Sequence, residues 1–288
     1  MSSAHNKMYN VCVVVVFYNP TKEQILKYEY LANSIRVVAV DNSKNQSSVS
    51  NIEYIPLYSN KGIAAAQNEG IKYAIREGYE FVLLMDQDSN IDNAFVLDMM
   101  NEYNILKKLH PEIGFLGPVF VDAESDQEYK NYIGKGENYT KVDNVIASGC
   151  LIQTETLKSV GGMDESLFID LVDFEWGWRV VSNGYQGYMT RNVKMTHSIG
   201  KEYHNWHGFV LGISAPFRYF YQYRNTLWLC KRDYVPFRWK VKSILRRTLD
   251  LLLVPLVSKE GIKCFKFMTK GIKMGLFYKN TPLYQLYD

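Results

Sequence analysis

The chain has 288 residues, 47% hydrophobic and 22% charged, with four cysteines and a formal net charge of +3. That is ample for a packed core in one large domain or two modest ones, and it excludes a disordered or fibrous chain. The cysteines at 12, 150, 230 and 264 show neither paired metal spacing nor a disulfide framework, which fits a reducing cytosol.

In chain order, Val11 to Phe17 reads as a strand buried on both faces, as in parallel sheets. Tyr18-Asn19-Pro20 breaks it, and Thr21 can cap a helix through Leu31. A second strand, Ile35 to Val40, ends at Asp41-Asn42-Ser43, and a short third covers Ile52 to Leu57. Asn60-Lys61-Gly62 opens a helix from Ile63 to Glu77, stopped by Gly78, and Tyr79 to Met85 is the next strand. A helix from Asp92 to Leu109 follows, then a strand over Ile113 to Val121 broken at Gly117-Pro118, and a polar, loop-rich stretch over 122–143. Thr154 begins a helix that stops at Gly161-Gly162, and Phe168 to Asn183 is a loop entering a helix ended by Gly184. A short strand at 193–195 precedes His197, and aromatic residues crowd 203–228. Alternating strands and helices predict an α/β fold with a mainly parallel sheet, whose ligands bind beyond the carboxyl ends of the strands. Tyr18-Asn19, Asp41-Asn42-Ser43 and Asp86-Gln87-Asp88 all fall at such ends.

Asp86 and Asp88 follow the apolar run Phe81 to Met85. Two carboxylates so close repel unless a cation joins them, and oxygen ligands suit Mg²⁺ or Mn²⁺; the alternative is a solvated turn in which Asp88 caps the next helix. Asp41 can accept hydrogen bonds from a base or ribose, or simply close an Asp-Asn-Ser turn. The small residues at the helix start, Gly62 and Ala65 among them, permit close approach of a ligand or of another backbone. Asp173 stands amid large apolar groups, the usual setting of a general base of raised pKa, although it can also cap a helix with Glu175 in the first turn. His197 is a metal ligand, a phosphate donor or a core histidine.

Taken in register, Val14 to Pro20, Val40 to Ser43, Asn60 to Asn68, Met85 to Asp88, Ser148-Gly149 and Phe168 to Arg179 resemble the family 2 glycosyltransferases of the GT-A fold, and more closely the bacterial rhamnosyltransferases of cell-surface polysaccharides. The resemblance spans about residues 10–230. It implies a GT-A catalytic domain over 1–230, and it places the donor against Phe17, Tyr18, Asn19, Asp41, Asn60, Gly62, Ala65, Asp86, Gln87 and Arg224. It further implies Mg²⁺ or Mn²⁺ held by Asp86, Asp88 and His197, and Asp173 as the base of an inverting transfer. Ser148, Gly149, Glu175 and Trp176 would stand on the acceptor side. Val172 departs from the family's usual glutamate before the catalytic aspartate. The implied donor is dTDP-L-rhamnose, with a UDP-sugar as the alternative, and the implied acceptor is a lipid-linked or polysaccharide chain.

Residues 231–288 hold 13 Lys and Arg against 4 Asp and Glu, net +9, whereas residues 1–230 hold 20 against 26, net −6. Such a basic, amphipathic extension suits an anionic membrane surface, through 240–288 at the inner face of a bacterial plasma membrane, or a contact with the catalytic body or a second subunit. No apolar run approaches the roughly 20 residues of a membrane span, and the first ten residues carry no apolar signal segment. A nucleotidyltransferase is disfavoured, because Phe17-Tyr18-Asn19-Pro20 lacks a glycine-rich phosphate loop; a non-catalytic binding protein would have no use for Asp173; and no nucleic-acid motif occurs.

Overall fold

The structure is a computed structural model that describes residues 10–122, 138–197, 202–206, 209–279 and 281–286, with the backbone alone at 122, 197, 202–206 and 209–211. Its centre is an eight-stranded sheet. Strand β1 (Val11–Phe17) is buried along its whole length and is flanked by β2 (Arg36–Asp41) and β4 (Phe81–Asp86), both parallel to it; β3 (Glu53–Pro56) extends that edge. The other half contains β5 (Ile113–Asp122), β6 (Tyr139–Val142), β7 (Cys150–Gln153) and β8 (Gln186–His197). The sheet order is β3-β2-β1-β4-β7-β5-β8-β6, in which β7 and β6 run against the rest. The ends of β1, β2, β4, β5 and β8 therefore share one edge, and that edge carries Tyr18, Asp41, Asp86 and the backbone of His197.

Helices α1 (Lys22–Leu31), α2 (Ile63–Arg76), α3 (Asn93–Leu109), α4 (Thr154–Val160) and α5 (Val172–Ser182) pack around the sheet. Thr21 caps α1 in a full capping box with Gln24, satisfying two end donors reciprocally. Asp92, not Asp88, caps α3 through Phe95 N at 2.9 Å, so Asp88 is left with no capping duty.

Several expectations change. The strand at 113–122 is continuous; the Gly117-Pro118 break is a register shift between Pro118 and Val119. The short strand before His197 is the end of a twelve-residue β8, and part of the loop-rich stretch pairs with it as β6. The aromatic stretch resolves into a hairpin of β9 (Glu202–Trp206) and β10 (Phe209–Ile213), then the helix α6 (Pro216–Cys230). Helices α7 (Phe237–Val257) and α8 (Gly261–Phe277) form the basic extension. The last described segment turns back onto the sheet domain: Gly162 N donates to Tyr284 O at 2.8 Å, and Leu286 is buried in the main core.

Candidate active site

The end of β4 is pinned through its backbone. Asp86 N donates to Ser148 Oγ (3.2 Å), the buried Tyr28 hydroxyl donates to Asp86 O (2.7 Å), and Ser148 Oγ and Ser89 Oγ are 2.6 Å apart. Gly149 N, in a left-handed residue at φ 83°, closes onto Leu84 O at 2.8 Å. The Asp86 carboxylate takes no part in this frame. Burial, and then the Asp88 charge, push its pKa up to about 6. Asp88 is exposed; Lys27 Nζ grips the same loop by donating to Gln87 O (3.1 Å) and Ser89 O.

Gln87 spends its amide on β1: Oε1 accepts from Tyr18 N (2.8 Å) and Nε2 donates to Tyr18 O (3.3 Å). It therefore holds the Tyr18-Asn19 turn, while half of the Tyr18 side chain stays exposed. Asn19, at φ 48°, is fixed by its N–H to Ser43 Oγ (2.7 Å), and the Phe17 ring packs edge-on against Tyr28. Asp41 is almost wholly buried. Its carboxylate accepts from Ser43 N (2.9 Å), Ser47 N (3.2 Å), Ser47 Oγ (2.7 Å) and the Tyr54 hydroxyl (2.7 Å). Burial would raise its pKa, but the bonds from Ser43, Ser47 and Tyr54 outweigh it and hold the group below the ordinary carboxylate range. Asp41 thus organises the loop beside it. Asn60 Oδ1 likewise accepts from Gly62 N (3.0 Å) and Asn42 Nδ2 (3.1 Å).

At the start of α2, Gly62 sits at φ 91°, and a Cβ there would lie 2.6 Å from Phe168 O. Ile63 N donates to that same carbonyl at 2.7 Å. The close approach that the glycine permits is therefore to the loop before α5, and half-buried Ala65 follows in the first turn.

Asp173, in the first turn of α5, is half-buried and faces the β4 end across a small cavity of about 10 Å³ lined by Leu84, Ala147, Cys150 and Trp176, room for about one water. One oxygen accepts from Phe174 N (3.0 Å). Burial pushes its pKa up; the backbone bonds oppose this, the Asp86 and Asp170 charges add to it, and the result is about 7. Among the described residues no cation pairs with it.

Two expected site residues, Glu175 and Arg224, stand elsewhere. Glu175 points into the protein, fully buried, with both oxygens on Arg179 (2.8 and 3.0 Å) and Oε1 also 3.1 Å from Arg232. A helix turns about 100° per residue, so two positions beyond Asp173 the side chain is on the far face. Trp176 lines the Asp173 cavity, buried, with its indole N–H on Gly161 O (3.0 Å). Arg224 donates to Ser166 O (2.9 Å) and Leu167 O (2.8 Å), lies over Trp228, and has its pKa lowered to about 10 by burial. The His197 side chain lies outside the described residues. Sequence reasoning missed Tyr28, Ser89 and Asn225; the available signal for Asn225 was one small polar residue on the inward face of an aromatic-rich helix.

The fold is that of the GT-A glycosyltransferases. Staphylococcus aureus TarS 1–349 in complex with UDP-GlcNAc superposes with a TM-score of 0.53 at 15% identity, covering 91% of this chain and 80% of TarS. GalNAc-T7 with UDP, GalNAc and Mn²⁺ superposes at 0.55 and 12% identity, covering 93% and 56%. No protein-family model matches the chain. In sequence it is 30% identical over 277 residues to the dTDP-rhamnosyl transferase RfbF of Shigella flexneri, covering 89% of this chain and 92% of that one. The chain belongs to the family 2 glycosyltransferases of the GT-A fold, and it is an enzyme that uses a nucleotide sugar.

Proposed function

We propose that the chain transfers L-rhamnose from dTDP-L-rhamnose to a hydroxyl of a lipid-linked saccharide, with inversion at the anomeric carbon. The observation that carries the mechanism is the placement of Asp173: a carboxylate of raised pKa, without a cationic partner among the described residues, that lines a small cavity with Leu84 of β4 and feels the charge of Asp86. The relationship to the Shigella flexneri enzyme supports the donor. In the step, Asp173 takes the acceptor proton as the acceptor oxygen forms its bond to C1. The bond from C1 to the diphosphate oxygen breaks, and its electron pair leaves with dTDP.

Asp86 and Asp88 present hard oxygen donors that repel one another, the donor set a divalent cation satisfies, and His197 ends a strand on the same edge of the sheet. Among the described residues no cluster of three or more metal-ligating groups occurs. When bound, Mg²⁺ or Mn²⁺ at these residues would supply positive charge for the leaving diphosphate. Tyr18, Gln87 and the Asp41 loop shape the donor side of the cleft, and Ser148-Gly149 fixes the β4 end.

The lipid-linked acceptor gives the basic extension its role. No helix among the described residues is long and apolar enough to cross a membrane. On α7, however, Phe237, Val241, Leu245, Leu249, Leu252 and Leu256 are all exposed, and they form one stripe opposite the face that buries Asp250 and Val254. On α8 the exposed face carries Lys263, Lys266, Lys270 and Lys273. An apolar stripe beside a row of lysines matches the interface of an anionic bilayer. Flotation with phosphatidylglycerol vesicles tests this: Leu245→Glu/Leu252→Glu should stay at the bottom of the gradient, and equal flotation of variant and parent overturns it. The donor is tested by dTDP release from dTDP-L-rhamnose, with UDP-GlcNAc beside it, in Mg²⁺ or Mn²⁺ and a membrane lipid extract. Turnover of UDP-GlcNAc alone overturns the rhamnosyl assignment.

A further inference from the structure

We infer that Asn225 is a positioning residue for the catalytic base: its side-chain amide holds the left-handed loop at 168–171 that launches α5 and so places Asp173. The inference rests on Asp173 being that base.

The loop is conformationally costly. Phe168 (φ 66°), Asp170 (φ 65°) and Leu171 (φ 68°) all occupy the positive-φ region, and none is glycine. Side chains rarely adopt that region unless the surroundings over-determine it. Here they do. Asn225 is completely buried, and the two N–H groups of its Nδ2 are shared among three carbonyls at and beside the loop: Leu167 O (3.0 Å), Ile169 O (2.9 Å) and Asp170 O (2.9 Å). Its Oδ1 accepts from Arg224 Nε (2.9 Å), so the amide is fully used. Along the same face of α6, Arg218 pairs with the Asp170 carboxylate, and Tyr221 stacks flat on Phe168 at 4.8 Å. The spacing 218, 221, 225 and 228 is one helical stripe. From the other side, Ile63 N and Gly62 of α2 close on Phe168 O.

The loop ends where the base begins. Leu171 is the N-cap of α5, its carbonyl accepts from Glu175 N, and Asp173 stands two residues on. Behind α6, α8 approaches closely at Gly271 and Gly275, where a Cβ would meet Phe220 O at 2.4 Å and Leu227 Cβ at 2.8 Å. The extension therefore backs the helix that carries Asn225.

Removing the amide takes the side-chain donor from Ile169 O and Asp170 O, while Leu167 O keeps Arg224 Nη2 and Phe168 O keeps Ile63 N; the left-handed residues next to α5 can then relax, which moves the first turn of α5. Asn225→Ala should lower kcat by about 10- to 100-fold, as expected for a displaced base, with the KM for dTDP-L-rhamnose within about twofold. Amide hydrogen exchange over 168–174 should accelerate in the same variant. Asn225→Ser, which keeps one donor, should give a smaller change of the same kind and serves if the alanine variant does not fold. A residue that only stabilises the fold would lower the melting temperature and leave kcat unchanged well below it; that result, or unaltered exchange at 168–174, overturns the inference. Exchange does not depend on the chemistry of Asp173. Faster exchange in Asn225→Ala alongside full activity in Asp173→Asn would therefore condemn the base and leave the clamp standing.

Discussion

Two groups of carboxylates lie around α5, and they differ in company. Asp164, Asp170 and Glu175 each have an arginine: Arg232 for the first, Arg218 for the second, and Arg179 with Arg232 for the third. Asp86 and Asp173 have no cationic partner among the described residues, and each carries a raised pKa. The first group is framework, in which buried charge is neutralised at once and its geometry locked. In the second, unneutralised charge is kept at the mouth of the sheet, a cost that only ligand or chemistry can offset.

The largest effect should fall on the unpaired group. Asp173→Asn should reduce kcat by about 10³-fold or more, the scale of a lost general base, while donor binding measured by calorimetry persists. An active Asp173→Asn enzyme breaks the division between the two groups.

Next comes its paired counterpart. Glu175→Gln leaves Arg179 and Arg232 buried around a neutral amide, which should cost roughly 3 kcal/mol of stability in denaturant titration. Its kcat well below the melting temperature should stay within a few-fold of the parent. A selective loss of rate with unchanged stability would return Glu175 to the acceptor site.

The same contrast shows what was legible beforehand. The apolar run at 11–17, the Thr21 cap and the stops at Gly78, Gly161 and Gly184 are local signals, and the structure follows them. The strand ends at 18, 41 and 86 could be grouped because a parallel sheet aligns its carboxyl ends. The reversal of β7 could not be read, since four residues carry no direction. Nor could the Arg179–Glu175–Arg232 network, whose members meet only once α5 and the segment after α6 are packed. In sequence Glu175 looks like Asp173, an acid among aromatic residues. Only the 100° turn per residue separates their roles.

A smaller effect should appear in the pH profile. Because Asp173 must be ionised to accept a proton and its pKa is held near 7, kcat/KM should fall about tenfold per unit below that pH. Glu175→Gln should not move the inflection, since its carboxylate belongs to the arginine network. An inflection near 4 would mean that Asp173 is not the titrating group.

The smallest effect concerns stability, and its sign is opposite for the two acids. Asp173 has a folded pKa of about 7 against an ordinary 3.8, so the fold favours its protonated form. Below about pH 4 the group is protonated in both states and contributes no difference. As pH rises toward 7 the unfolded chain ionises first, so native stability falls, and above 7 the full penalty is present. Asp173→Asn removes the penalty. In EDTA at pH 8 it should therefore raise stability on the order of 1 kcal/mol, about 2–4 °C in melting temperature, given the solvent screening of a half-buried carboxyl, and the gain should vanish near pH 4. Glu175→Gln should be destabilising at pH 8, because the charge it deletes neutralises two buried guanidinium groups. If both substitutions shift the melting temperature in the same direction, then Asp173 is also held by a cation, and the separation of chemistry from framework around α5 fails.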